Sequence, residues 1–290
     1  MSSVLKDFSD ATTALVRETA RRVVSLNGRE RGSLSGIVIA PGIIVTAEEA
    51  LERDGDVEVT LPDGQAATAS VVGRDPTTDI AVLRVSGADI AAAPGAARPE
   101  PGALVVGVGR VGKDVVAALG SLAHVGDAWH SSHGGLIDLM IRADITLRPA
   151  TEGGALVDAG GNLVGMAVFG PRRRVIAIPH ATLTRGSEHI LAHGSVARGY
   201  VGVSVQAVAG ADQAGPGAIV VGLDQDGPAK SAGILLGDIV RTWNGEPVTG
   251  TRSIIDRLGP SSVGQVAKLA LSRAGNPVEV SVTVAARRTA

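Results

Sequence analysis

The chain has 290 residues, which predicts two domains, and a composition of 44% hydrophobic and 19% charged residues is that of a globular protein rather than a disordered one. With 27 Lys and Arg against 29 Asp and Glu the net charge is -2, so no general basic field draws the chain to nucleic acid. There is no Cys, which excludes disulfides, thiolate catalysis and zinc–thiolate sites, and with 2% aromatics the core has to be built from Val, Ile, Leu and Ala.

Residues 5–24 have helical spacing, with Leu5, Phe8, Ala11, Leu15, Thr19 and Val23 near one face. Lys6, Asp7 and Asp10 fall where a secretory signal needs its apolar stretch, and no run of about 18 apolar residues follows. As written, the chain reads as cytoplasmic with no membrane partner; removal of an export signal would make it periplasmic. From residue 36 the pattern changes to short β-branched runs: 36–40, 43–47, 57–61, 67–73, 80–85, 103–109, 115–122, 136–143, 162–170 and 175–179. Turn signals such as Pro41-Gly42 and Pro62-Asp63-Gly64 separate them, which predicts an antiparallel barrel or sandwich. A helix is expected at 180–193 and a linker at 194–199. A small α+β unit follows, with strands at 200–207, 218–222, 238–242, 247–248, 266–273 and 278–285 and helices at 227–233 and 251–259.

Three local motifs have ordinary explanations. GVGRVGK (107–113) fits a G-x-G-x-x-G pattern, but a dinucleotide site needs a helix to open there, and the following DVVAALG is β-branched. A glycine-rich turn between barrel strands is expected instead. His130 and His133 read as a polar loop rather than a metal pair. Arg172, Arg173 and Arg174 read as a solvated hairpin tip, with an anion site as the competing reading.

The stronger signal is a set of segments in fixed order: TAEEAL (46–51), DPTTDIAVLRV (75–85), ADITLRPATEGGALVDAGGNLVGM (143–166) and VIAIP (175–179). Together they resemble the trypsin-like domain of the HtrA (Deg) family of serine proteases. GYVGVSV (199–205), GPAKSAGILLGDIVRTWNGEPV (227–248) and RSIIDRL (252–258) resemble the PDZ domain that follows it in that family. The resemblance implies a mainly β fold: an N-terminal helix over 1–24, a trypsin-like double six-stranded β-barrel over 25–193, and an α+β PDZ domain over 200–286.

The resemblance also places the catalytic triad. Glu49 stands where the family has its general-base His, Asp79 matches the orienting Asp, and Glu152 stands at the nucleophilic Ser. Ala150 replaces a glycine whose backbone N–H serves the oxyanion hole. The fold puts its His before its Asp, and no His precedes His124 here. A carboxylate at 152 cannot form an acyl-enzyme, and a carboxylate with an ordinary pKa of about 4.3 is a poor base for Ser at neutral pH. The first domain is therefore expected to be an inactive pseudoprotease. Its strand at Arg173–Pro179 also lacks both glycines and the Phe with which the family lines its substrate cleft.

Convergence of Glu49, Asp79 and Glu152 has a cost. Two like charges about 4 Å apart repel by about 4 kcal/mol at an effective dielectric near 20. Either one carboxyl stays protonated, or a divalent cation sits among the three, or Glu49 or Glu152 swings into solvent. Without a partner for Glu152, its replacement by Gln is expected to raise stability; Arg148 is the nearest candidate partner in sequence. An enzyme or cation-binding protein using this acidic cleft is the alternative reading.

In the PDZ unit, the resemblance assigns Tyr200, Val201, Gly202 and Val203 to the loop and strand that take a peptide's terminal carboxylate. Ile254, Ile255 and Leu258 form the other groove wall. The partners expected are protein or peptide C-termini, for a scaffolding, chaperone-like or regulatory role, with no required cofactor. A homo-oligomer, a trimer in the family's manner, would draw on Phe8, the aromatic residue available near the N-terminus.

Overall fold

The computed structural model describes residues 2–29, 32–52, 55–86, 90–92, 94–194, 199–209 and 215–286. They form two compact units, one of residues 1–129 and 136–196, the other of residues 130–135 and 197–290. The linker expected at 194–199 falls largely at 195–198, outside the described residues.

Helix α1 (Ser2–Ala20) stops short of the expected residue 24. The β-branched pair Val23 and Val24 instead opens β1 (Val23–Leu26), where they face Ile37 and Gly36 across an antiparallel ladder. The end of the helix is closed by the buried Arg110, whose guanidinium donates to the carbonyls of Ala20 (2.9 Å), Val23 (2.8 Å) and Lys113 (3.1 Å). Placing a cation against the last carbonyls of a helix satisfies orphan acceptors and opposes the negative end of its dipole. Burial depresses the pKa of that guanidinium.

The first unit continues with β2 (Leu34–Ala40), β3 (Ile43–Thr46), β4 (Asp56–Thr60), β5 (Ala66–Asp75) and β6 (Ile80–Val85). With β1 they close a barrel in the order β1-β2-β3-β6-β5-β4. Next come β7 (Leu104–Val111), β8 (Asp114–Gly126), the short β9 (Trp129–His130) and β10 (Leu136–Ile137), then β11 (Met140–Asp144), β12 (Gly154–Asp158), β13 (Leu163–Phe169) and β14 (Val175–Pro179). A second closed barrel runs β11-β14-β13-β12-β7-β8, and α2 (His180–His193) follows. The cores are aliphatic, as the composition requires: Leu26, Ile37, Ile44 and Leu83 in one barrel, Val105, Leu122, Ile141 and Leu156 in the other, all essentially inaccessible to solvent.

GVGRVGK is only partly a turn. Gly107 and Gly109 lie inside β7, and Gly112, at φ 55°, makes the turn into β8. A Cβ on Gly109 would come within 2.4 Å of Thr151 Cβ, so the glycine is needed for close packing under the 149–151 turn. No helix opens after it, so the structural context of a dinucleotide site is missing.

In the second unit, the strand expected at 200–207 is broken at Gly202, whose φ of 76° is costly for any residue with a Cβ. The result is β15 (Gly199–Tyr200) and β16 (Val203–Val208). Then follow β17 (Gly217–Leu223), a single-turn α3 (Pro228–Ser231), β18 (Ile239–Trp243), β19 (Glu246–Pro247), α4 (Thr251–Arg257), β20 (Val266–Arg273), β21 (Asn276–Thr283) and β22 (Ala285–Ala286). The main sheet runs β16-β17-β18-β20-β21, with β19 added beside β18 and β15 paired to β22. Val220, Trp243, Ile254, Leu269 and Val282 form its core.

Candidate functional site

Three turns of the first unit bring Glu49, Asp79 and Glu152 near one another. Asp75 ends β5 and folds the following turn: its carboxylate accepts from Thr77 N (2.9 Å), Thr77 Oγ1 (2.6 Å) and Thr78 Oγ1 (2.6 Å). That turn presents Asp79 in the left-handed region, at φ 59°, where Asp is better tolerated than most residues. Asp79 Oδ1 accepts the backbone N–H of Glu49 (2.8 Å) from the turn after β3. Burial pushes the Asp79 carboxyl up to about 7; the Glu49 N–H opposes that rise, and the charges of Glu152, Glu49 and Glu48 add to it. Of the three outcomes expected for like charges, a protonated carboxyl fits Asp79, and a side chain turned to solvent fits Glu49, which is exposed.

Glu152 has a partner that the sequence reading missed. Arg29, in the loop after β1, donates to Glu152 Oε2 at 2.6 Å, to Pro149 O at 2.8 Å and to Ala50 O at 3.2 Å. The two side chains are each 14% exposed, and Phe169 N–H donates to the other carboxylate oxygen at 3.1 Å. The partner is Arg29 rather than the candidate Arg148, so Glu152→Gln, expected to stabilise an unpartnered carboxylate, is expected instead to lower stability. A second pair, Arg74 with Glu48 (3.3 Å), borders Asp79 from β5. Among the described residues, no three carboxylate or imidazole side chains come together in an arrangement that could hold a metal ion. Arg29 thus neutralises Glu152, and Arg74 neutralises Glu48.

The turn that precedes Glu152 is internally hydrogen-bonded. Pro149–Thr151 forms one 3-10 turn, in which Thr151 N–H donates to Arg148 O (2.9 Å) and Glu152 N–H to Pro149 O (3.3 Å). Ser35 Oγ reaches the Ala150 carbonyl at 3.2 Å. Ala150 needs no left-handed backbone in this turn, so a Cβ is accommodated there. The N–H at residue 152 is thus already engaged inside the turn, and no hydroxyl or thiol stands at that position.

In the second unit, Tyr200, Val201, Gly202, Val203, Ile254, Ile255 and Leu258 all line one groove of about 590 Å³. β16 is the end strand of its sheet and faces α4 across that groove. Val203, Val205 and Leu223 add apolar lining, and Tyr200 donates its hydroxyl to Asp224 near the Gly202 bend. Asp224 and Thr251 also border the groove and were not singled out in the sequence; Thr251 could have been found as the first residue of the helix.

Two closed six-stranded barrels followed by a small sheet with a helix-walled groove define a trypsin-like peptidase domain joined to a PDZ domain. Family models agree: a trypsin-like peptidase domain matches residues 34–166 and a PDZ domain matches residues 199–284. A probable periplasmic serine endoprotease, DegP-like, from Brucella suis biovar 1 (strain 1330) is 31% identical over 279 residues, covering 87% of this chain and 52% of the relative. The chain therefore spans about half the length of the curated relatives it matches. Among solved structures, the serine endoprotease from Yersinia pestis aligns with a TM-score of 0.77 at 26% identity, covering 94% of this chain and 97% of that one. The HtrA-type protease AlgW with tripeptide aligns with a TM-score of 0.73 at 26% identity, covering 96% and 98%. The chain belongs to the HtrA (Deg) family. No helix among the described residues is long and apolar enough to cross a membrane.

Proposed function

We propose that this chain is a catalytically inactive HtrA-like protein that captures polypeptide C-termini through its PDZ domain, in a scaffolding, chaperone-like or regulatory role. The observation that carries the reading is the open edge of β16 facing α4 across an apolar groove. An extended peptide can add to that edge as a further strand, with its terminal carboxylate at the Gly202 bend and an apolar last side chain among Val203, Ile254 and Leu258. A solved relative described with a tripeptide fits this role. Inactivity rests on Glu152, a carboxylate at the nucleophile position, held by Arg29 and by the Phe169 N–H. The exposed Val4, Leu5 and Phe8 of α1 are apolar groups that a second copy of the chain would cover in a homo-oligomer. The periplasmic naming of the relatives favours the exported placement over the cytoplasmic one.

The direct test is binding of the full chain to peptides with free and amidated C-termini. A free carboxylate after an apolar residue is expected to bind, and amidation to cost about 1.5–3 kcal/mol, or roughly 10–100-fold. Val203→Asp, at a half-buried groove position, should weaken binding similarly, with circular dichroism used to check that the domain stays folded. Equal affinity for the two peptide forms would remove the binding half of the proposal.

The catalytic half has its own test. The purified protein is expected to leave unfolded casein intact and to resist fluorophosphonate labelling. The Glu49→His, Glu152→Ser double variant should recover little activity, because the N–H at residue 152 stays inside the 149–151 turn. Time-dependent labelling anywhere in 148–154 of the unmodified protein would show the inactive reading to be wrong.

A further inference from the structure

The second barrel carries a cationic pocket that neither the degenerate cleft nor the PDZ groove uses. A cavity of about 490 Å³ is lined by Arg142, Asp144, Arg173 and Arg174, with Ala123 and Ile145 between them. In β11, Ile141 and Ala143 are buried, so Arg142 and Asp144 project from the opposite, outer face. Arg142 sits opposite His124 on β8 and Ile176 on β14, and the ladder between β11 and β8 shifts register just after it. That shift leaves Ala123 unpaired at the pocket, a local widening of the kind that bulges produce next to binding sites.

The arginine run at 172–174 supplies the other wall. Arg172 and Arg173 both have left-handed backbone, at φ 58° and 57°, a conformation that non-glycine residues adopt at a cost. With that geometry the connection between β13 and β14 sets the Arg173 guanidinium 4.4 Å from the centre of the Phe169 ring. The stacked guanidinium is held by the ring face, and its N–H edge stays available for an acceptor. Among the described residues, Arg142, Arg173 and Arg174 make no ion pair; Asp144 is the one acid in the lining, so the pocket is at net +2. The solvated-tip reading of the sequence does not account for a concave wall, strained backbone and a ring-held guanidinium together.

We propose that this pocket binds a phosphoryl dianion. A phosphomonoester carries about 1.5–2 negative charges and three strong acceptor oxygens. That matches a pocket of net +2 whose cations are all planar, bidentate arginine forks. A carboxylate would satisfy one fork and leave the others unmatched. The volume falls in the range of small-molecule sites, so it holds a phosphoryl group together with part of its carrier. A free phosphomonoester and a phosphorylated serine of a polypeptide share this chemistry.

The test is calorimetric titration of the full chain at pH 8 and constant ionic strength. The probes are inorganic phosphate, a short phosphoserine peptide and its unphosphorylated counterpart. Saturable binding of phosphate is expected, with Arg142→Gln and Arg174→Gln each weakening it about tenfold or more and Asp144→Asn strengthening it several-fold. A phosphopeptide at least tenfold tighter than inorganic phosphate identifies a polypeptide source; near-equal affinities identify a small molecule. Arg174 is exposed, so its variant keeps the test decisive if Arg142→Gln fails to fold. Binding unchanged in both arginine variants, replacement of phosphate by an equal ionic strength of chloride without effect, or equal binding of the unphosphorylated peptide would overturn the proposal.

Discussion

Asp79→Asn is expected to raise the free energy of unfolding at pH 8 by on the order of 3–4 kcal/mol and to change it little at pH 4. The folded-state pKa of Asp79 is raised from 3.8 to about 7. Below 3.8 the carboxyl is protonated in folded and unfolded chains alike, and its contribution to stability is fully present. Between 3.8 and about 7 the unfolded chain ionises while the folded one does not, so stability falls by about 1.4 kcal/mol per pH unit. Above 7 the loss is complete, at about 4 kcal/mol for a shift of this size. Asn keeps the acceptor for the Glu49 N–H and removes the titration. Urea unfolding of both proteins at pH 4, 6 and 8 checks this; stability curves that run parallel across the range would mean that Asp79 is not held protonated.

Arg29→Met is expected to act in the opposite direction, lowering stability at pH 8 by about 3–5 kcal/mol. Removing one member of a largely buried ion pair leaves the other charge uncompensated. Here that charge is Glu152, which also raises the pKa of Asp79 by its proximity. Pro149 O and Ala50 O lose donors in the same step. Glu152→Gln alone should cost about 1–3 kcal/mol, and the double variant should recover part of the Arg29→Met loss. Strict additivity of the two single losses would show that the contact has no energetic coupling.

The two variants mark where the sequence was informative. Pro41-Gly42, Pro62-Asp63-Gly64 and the β-branched runs between them made the strands visible, because turn chemistry and side-chain alternation are local properties. Glu49, Asp79 and Glu152 could be named from the order of short motifs. Their surroundings could not, because Arg29 and Glu152 are 123 positions apart and no local rule links the loop after β1 to the turn before β12. One signal was available: acids gathered in a cleft require either protons or cations, but nothing local singles out Arg29 among the chain's arginines. The engaged N–H of Glu152 was out of reach for another reason. A 3-10 turn and an open loop through Arg148-Pro149-Ala150-Thr151 differ by peptide orientation, not by residue preference. The helix end was misjudged at Val23 and Val24 because helical spacing extended past the point where β-branched pairing takes over.

The anchoring of α1 by Arg110 divides that helix into two regimes. Thr19 and Ala20 are buried and Leu15 and Val16 pack on the barrel, whereas residues 3–11 are exposed. An isolated helix of a few turns is marginal in water, because each added turn gains little once the nucleus has formed. Hydrogen exchange along α1 is therefore expected to be near-coil around Val4 and as slow as the barrel at Ala20, with the change falling near Leu15 where packing begins. The free end is expected to open and close without disturbing the barrel, while the end held by Arg110 of β7 is expected to open only with the barrel. A single helix thus carries a fast clock and a slow one, and only the slow one reports on the global fold.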